Sequence, residues 1–236
     1  YPLYHTHDGQ LKLSYGYDYR RLKDDLDLFA GLADSKKHTH SVHVGVTGAA
    51  SLPGTALSYD ATVTTGRLGA DSSFAEVQTQ TAKTDGSYTK LSVDGTVVRS
   101  LGHRTDVLFK ASGQLASRNL DGAEQIYLGG ANAVRAYPQG EGSGDVGVLG
   151  TAEVRWYTDL PGLVLSTYLD AGHVKRARDG SEGSETLKGW GLAASYTRPG
   201  DWFARLDYAR RIGDSPYLSE DAKSKGRVWF LLGKVW

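Results

Sequence analysis

The residue best suited to specific chemistry is Arg135, which lies among small residues in the run GGANAVRAYP from Gly129 to Pro138. Glycines follow at positions 140, 142 and 144. Small residues permit close approach to other parts of the chain, and a guanidinium group presents a planar fork to a carboxylate. The run therefore predicts a long loop that carries a directed cation, with an ordinary exposed arginine as the alternative.

A candidate partner for this cation follows in the sequence YLDAG. Tyr168, Asp170 and Gly172 are each separated by one residue, so they share one face if the segment is a strand. On the inner face of a barrel, the Asp170 carboxylate would need a cation or water.

The other motifs give weaker evidence of function. The run from Gly142 to Gly147 matches GxGxxG but leads into a strand pattern and not into a helix, so we reject dinucleotide binding. No phosphate-loop lysine, nucleophile elbow or zinc-protease motif occurs. No catalytic residue and no cofactor is assigned, and we expect a protein that is not an enzyme.

Three histidines, His38, His40 and His43, lie close together, and the first two would share one face of a strand. Imidazole nitrogens bind metals, but lysines adjoin the cluster, and we expect no acidic partner nearby. We therefore predict a solvated loop rim and no metal site.

Composition narrows the class of protein. The 236 residues include 27 acidic residues and 27 Lys or Arg residues, so the chain has no net positive charge that would attract nucleic acid. There is no cysteine, so disulfides and thiolate metal sites are excluded. No apolar run reaches the roughly 20 residues of a spanning helix, but a barrel needs only every second residue to face lipid.

Alternation of apolar and polar residues is the dominant pattern of the chain. From position 145 to 157 one phase contains Val146, Val148, Val154 and Trp156, and the other is largely polar. The pattern predicts ten strands near residues 10–22, 39–50, 54–65, 86–99, 105–118, 144–157, 162–174, 187–198, 201–212 and 226–236.

Short connections alternate with long ones at 23–38, 66–85, 119–143, 175–186 and 213–225, as in outer-membrane barrels. Aromatic residues cluster toward the short-turn ends, where an interfacial girdle belongs; they are Trp156, Tyr157, Tyr196, Trp202 and Trp236. We therefore predict an all-β antiparallel transmembrane barrel meander in which Phe109, Val146, Val148, Val154 and Leu206 face outward and Lys110, Arg205 and Asp207 inward. No helix longer than two turns is expected.

The motifs of the loop and the strand carry a resemblance. The run Val134, Arg135, Ala136, Tyr137 resembles the VRG(F/Y) motif of the sixth extracellular loop in the two-partner secretion and barrel-assembly transporter superfamily, and Tyr168, Asp170 and Gly172 resemble its F-x-D-x-G strand motif. The Gly-Gly ahead of this run and the Glu153-Val154-Arg155 sequence of the next strand resemble the TpsB branch, the hemolysin-activator or filamentous-hemagglutinin transporters. Ala136 and Tyr168 depart from the motif glycine and phenylalanine.

The resemblance implies a barrel of sixteen strands in the bacterial outer membrane, with the loop folded into the lumen and Arg135 paired with Asp170. Residues 1–236 would be the C-terminal part of that single barrel domain, without the POTRA domains, the plug helix and the first six strands. The implied activity is passage of an unfolded exoprotein without nucleotide. The implied partners are that exoprotein, outer-membrane lipid and the barrel-assembly machinery, with no nucleic acid.

The last strand resembles the aromatic-terminated signal that is recognised during barrel insertion; its residues here are Phe230, Leu232 and Trp236. Two alternative functions remain open from the sequence. One is an assembly factor of the same superfamily, which shares the loop motif, and the other is a soluble β-barrel binding module.

Overall fold

The computed structural model describes residues 1–24, 34–180, 183–215 and 217–234, and Trp236 therefore lies outside the described residues. The elements are, in order, β1 (Pro2–His5), β2 (Gly9–Asp24), β3 (Ser35–Leu52), β4 (Thr55–Ala70), α1 (Ser73–Ala82), β5 (Gly86–Ser100), β6 (Thr105–Ala116), β7 (Ile126–Tyr127), β8 (Ser143–Gly144), β9 (Val146–Tyr157), β10 (Leu163–Lys175), β11 (Ser184–Thr197), β12 (Trp202–Arg211) and β13 (Gly226–Lys234). Short 3₁₀ turns occur at Gly122–Glu124 and Glu220–Lys223.

Eleven of these strands form one antiparallel sheet in the order β1-β2-β3-β4-β5-β6-β9-β10-β11-β12-β13. Each strand pairs with its neighbour in sequence, except that β9 follows β6 across the long loop, where β7 and β8 form a separate small ribbon. The all-β meander and its ten long strands are confirmed. The short strand β1 was not predicted.

Helix α1 contradicts the prediction that no helix exceeds two turns, because it has 10 residues. Its ends are stabilised locally: the Ser72 side chain accepts a hydrogen bond from the Ala75 amide, and Lys83 closes the helix in the left-handed conformation with a φ of 57°. The buried residues of this helix are Ala75 and Thr79. Large apolar residues therefore do not recur at the 3.6-residue period that identifies an amphipathic helix in a sequence. No helix of the described residues is long and apolar enough to cross a membrane.

The two faces of the sheet differ sharply. We call the face that packs against the loop between β6 and β9 the inner face, and the opposite face the outer face. On the outer face Phe109, Val148 and Leu206 are about half exposed, whereas Asp207 on the inner face is 5% exposed. A broad exposed apolar surface is what a lipid-facing wall presents, so the predicted phase of the strands is confirmed at these positions.

Connections alternate in length as predicted. Turns of a few residues join β3 to β4, β5 to β6, β9 to β10 and β11 to β12, and the other ends carry the long loops. Trp156, Tyr157, Tyr196 and Trp202 lie at the short-turn ends of their strands, and the Tyr196 and Trp202 rings are 5.1 Å apart. This arrangement places an aromatic girdle at one end of the wall.

Candidate functional site

Residues 117–145 leave the sheet after β6 and fold back over its inner face before β9 begins. The apolar side of this loop packs into the core: Leu128, Val134, Ala136 and Tyr137 are at most 2% exposed and contact inner-face residues of the strands. The loop is thus a buried element and not a surface excursion. The packing of the loop brings Arg135 against the inner face of the sheet.

The Arg135 side chain lies against Asp170 of β10 in a two-pronged contact. Its Nε and Nη2 atoms donate hydrogen bonds of 3.0 and 2.9 Å to the two oxygens of the Asp170 carboxylate. The Arg135 backbone amide donates a third, of 3.1 Å, to the same carboxylate. The sequence prediction that these two residues meet agrees with this geometry.

Two further carboxylates surround the same guanidinium group. Its Nη1 atom donates to Glu153 of β9 at 3.1 Å and to Asp207 of β12 at 3.3 Å. Arg205, also on β12, donates to Asp207 at 2.7 Å and to Glu153 at 3.4 Å. Two cations therefore meet three carboxylates in one group, which we call the loop cluster: Arg135, Glu153, Asp170, Arg205 and Asp207.

Burial makes the loop cluster a strong electrostatic site. The side chains of Arg135, Glu153, Asp170 and Asp207 are at most 7% exposed, whereas Arg205 is 33% exposed. Burial opposes the charge of Arg135, but the hydrogen bonds and the negative charge of Asp170 outweigh it and raise the pKa of Arg135 above its ordinary value. The cation therefore stays charged at every physiological pH.

Aromatic residues complete the contact around Arg135. Its Cζ atom lies 3.2 Å from the centre of the Tyr168 ring, which is cation–π geometry. The Trp229 indole nitrogen of β13 donates a 2.7 Å hydrogen bond to the Arg135 carbonyl. Tyr168 thus serves where the related motif has phenylalanine.

Two glycines of β11 leave room for Ala136 and Tyr168, the two residues that differ from the family motif. A Cβ atom at Gly189 would lie 2.6 Å from the Ala136 methyl group, and one at Gly191 would lie 2.3 Å from the Tyr168 ring. Ala136 is not among the residues with positive φ, since Lys83 is the one non-glycine residue of that kind in the described ranges. The alanine therefore needs no strained backbone. Gly172, the last residue of the strand motif, lies beneath Leu128 of the loop.

The first part of the loop is fixed by charges of the opposite sign. Glu124, 3% exposed, pairs with Lys90 of β5 at 2.9 Å and with Arg20 of β2. Lys37 of β3 donates to Asp121 at 2.7 Å. We call Asp121 and Glu124 the acidic foot of the loop. The loop thus spans the inner face from the cations of β2, β3 and β5 to the carboxylates of β9, β10 and β12.

The other predicted residues lie apart from the loop cluster. Phe230 and Leu232 of β13 are 67% and 61% exposed on the outer face, while Trp236 lies outside the described residues. His38 and His40 lie on the outer face and His43 on the inner face. The expectation that no acidic residue is near these histidines was wrong, because His38 contacts Asp71 and His43 contacts Asp18. In the described ranges no group of metal-binding side chains is present.

Sequence reasoning missed Glu153 and Trp229 as members of this site. Glu153 lies on the polar phase of β9, which is the signal that could have identified it, but its position opposite Tyr168 depends on strand register. Trp229 was not singled out because a tryptophan in a terminal strand reads equally as a lipid-facing residue.

The sequence model of a family described as haemolysin secretion/activation protein ShlB/FhaC/HecB matches residues 1–196. No curated protein matches the chain.

Among solved structures, CdiB from Escherichia coli is similar with a TM-score of 0.81 and 23% identity over 99% of this chain and 43% of that one. CdiB from Acinetobacter baumannii is similar with a TM-score of 0.72 and 16% identity over 98% and 40%. These likenesses show the fold, and the chain spans about two fifths of the length of each matched structure.

Proposed function

Because this chain belongs to the haemolysin secretion/activation family ShlB/FhaC/HecB, whose members are outer-membrane two-partner secretion transporters and not enzymes, we propose that it forms part of a pore for an unfolded partner exoprotein. The exoprotein would be of haemolysin or adhesin type and would reach the cell surface without nucleotide. The protein lies in the bacterial outer membrane.

The observation that carries this proposal is the position of Arg135. A guanidinium group that binds Asp170, Glu153 and Asp207 together holds the loop on the inner face of three strands. A loop held there lies in the path of any chain that crosses the barrel, so its position controls the open cross-section. Val134, Ala136 and Tyr137 support this role by packing the loop against the wall.

We also propose two partners beyond the exoprotein. Outer-membrane lipid would cover the apolar outer face, and the barrel-assembly machinery would recognise the last strand during insertion. Phe230 and Leu232 support the second proposal, since both project from β13, the last strand of the sheet. Trp236 belongs to the same proposed signal by sequence alone.

Reconstitution tests the transport proposal directly. Full-length protein in phospholipid vesicles, mixed with urea-unfolded exoprotein and no nucleotide, should render the exoprotein resistant to external protease. The Arg135→Ala variant should translocate severalfold less while it still migrates as a folded barrel on unheated gels. Arg104→Ala, which removes an exposed arginine of a short turn, is the matched control and should translocate normally.

Protection that requires ATP would contradict the proposal, and so would equal protection in vesicles without the protein. Normal translocation by Arg135→Ala would remove the role assigned to the loop.

A further inference from the structure

Charge is distributed unequally between the two faces of the sheet. In the described parts of the long strands, every aspartate and glutamate lies on the inner phase; they are Asp18, Asp24, Asp60, Asp94, Asp106, Glu153, Asp170, Glu185 and Asp207. The outer phase carries lysines and arginines near the long-loop end; they are Arg21, Lys23, Lys36, Arg67, Lys175, Lys188 and Arg210. The outer rim at that end is therefore cationic.

The most concentrated part of this rim lies on β2, β3 and β4. Tyr19, His40 and Arg67 are direct neighbours across the three strands, and Arg21 lies beside His38 one step further toward the loops. We call Tyr19, Arg21, His38, His40 and Arg67 the rim patch. Adjacent strands are about 4.8 Å apart, so the Cα atoms of the two arginines, two strands apart, are separated by about 10 Å laterally.

Ring contacts make the rim patch a fixed platform. The Tyr19 and His40 rings are 4.6 Å apart, and the His38 and His40 rings meet edge to face at 5.5 Å. The Tyr17 hydroxyl lies 2.5 Å from the His40 Nδ1 atom. Aromatic side chains with polar tips are typical of the interface between hydrocarbon and headgroups.

Apolar residues of β3 and β4 lie on the short-turn side of this platform. Val42, Val44 and Val63 are on the outer face there and are about half exposed. A lipid whose acyl chains lie along these valines would place its headgroup over the rim patch. The valines lie below the rings, and the arginines lie level with the rings, Arg67 beside His40 and Arg21 beside His38. The rings and the cations would therefore meet the headgroup at the same height, above the acyl chains.

The arginines are free to bind such a headgroup. The Arg67 side chain is exposed and makes no hydrogen bond or ion pair with any residue that the structure describes. Arg21 uses its Nε atom to donate to the Tyr19 hydroxyl at 3.0 Å, which leaves its terminal nitrogens for another acceptor. Among the described residues the Asp71 carboxylate borders the patch, and it contacts His38 at 2.7 Å.

We infer that the rim patch is a binding site for the phosphate group of an anionic membrane lipid, seated with its acyl chains on the valine band. Arg21 and Arg67 supply charge-assisted hydrogen bonds to the phosphate oxygens, and the aromatic rings pack beside the headgroup. This site faces away from the loop cluster, so it does not depend on the transport proposal.

Native mass spectrometry of the full-length protein in neutral detergent tests the inference, with phosphatidic acid and phosphatidylcholine of identical acyl chains as probes. Each juxtamembrane cation contributes roughly fivefold to anionic-lipid binding. We expect phosphatidic acid to bind preferentially, Arg67→Gln to weaken it about fivefold, and Arg21→Gln with Arg67→Gln to weaken it about thirtyfold. Phosphatidylcholine binding should not change.

Lys12→Gln is the matched control, because it removes one positive charge from the inner phase of β2, the strand that carries Arg21 on its outer phase. It should bind phosphatidic acid as the parent protein does. Equal losses in Lys12→Gln and Arg67→Gln would overturn the inference by showing a diffuse charge effect. Unchanged binding by Arg67→Gln would also overturn it, as would full competition by inorganic phosphate alone, which would identify a small-anion site. Because the Arg67 side chain makes no hydrogen bond or ion pair with a described residue, its substitution by glutamine should leave the fold intact and report on binding.

Discussion

At the scale of single residues, the central feature is one guanidinium group that satisfies three carboxylates of three strands. Breaking a well-shielded ion pair by removing one partner costs about 3–5 kcal/mol, whereas a water-exposed pair contributes about 0–1 kcal/mol. Because the Asp170 side chain is 0% exposed and that of Arg135 is 7% exposed, the upper part of this range applies.

Arg135→Lys should therefore impair secretion nearly as much as Arg135→Ala. A lysine ammonium group has no planar fork, so it cannot bind both oxygens of Asp170 while it also contacts Glu153 and Asp207. Secretion of the exoprotein by cells that carry each variant in the full-length protein measures this. Arg205→Lys, at the exposed side of the loop cluster, should lose much less, and equal losses at the two positions would contradict the special position of Arg135.

The residues of this site were predictable only in part. Paired motifs indicated Arg135 and Asp170, because both positions can be read from local sequence. Glu153 and Asp207 join them through the registers of β9, β10 and β12, which no single segment of sequence encodes. The accommodation of Ala136 by Gly189 likewise depends on a contact between distant parts of the chain.

At the scale of elements, the loop between β6 and β9 is fixed at two places by charges of opposite sign. The acidic foot contacts cations of β2, β3 and β5, and Arg135 contacts carboxylates of β9, β10 and β12. A displacement of the loop toward either wall would separate one set of charges. The two contacts therefore define both its position and its direction across the inner face.

Glu124→Gln should loosen the first part of the loop. Glu124 is buried, but its partners Lys90 and Arg20 are 16% and 42% exposed, so solvent screening reduces the loss to roughly 1–3 kcal/mol. Trypsin cleavage after Arg118 in the full-length protein should be several times faster. Glu76→Gln on the exposed side of α1 is the matched control, and equal cleavage rates in both variants would argue against the acidic foot.

The strands were predictable from sequence because alternation records which side of each strand meets lipid. The ends of the strands were less predictable. β3 begins several residues before its predicted range, at Ser35, and β4 continues past its predicted range to Ala70, because pairing continues beyond the apolar band. Helix α1 was missed because capping by Ser72 and Lys83, and not an apolar face, defines it.

At the scale of the whole molecule, the sheet separates two environments. Its outer face is apolar with a cationic rim, and its inner face carries the carboxylates and the folded loop. Three carboxylates of the inner face, Glu153, Asp170 and Asp207, hold the loop through Arg135, and two arginines of the outer rim form the proposed lipid site. This separation explains how a chain with equal numbers of acidic and basic residues presents strong local charge.

The central claim is that the contact between Arg135 and Asp170 holds the loop in its working position, and a double-mutant cycle in the full-length protein tests it most directly. Secretion by Arg135→Ala, Asp170→Ala and the double variant would be measured beside the parent, with barrel insertion checked by heat-dependent migration on gels. Each single variant should impair secretion while the barrel stays inserted, and the double variant should be little worse than either. Normal secretion by both single variants, or strictly additive losses, would contradict the claim.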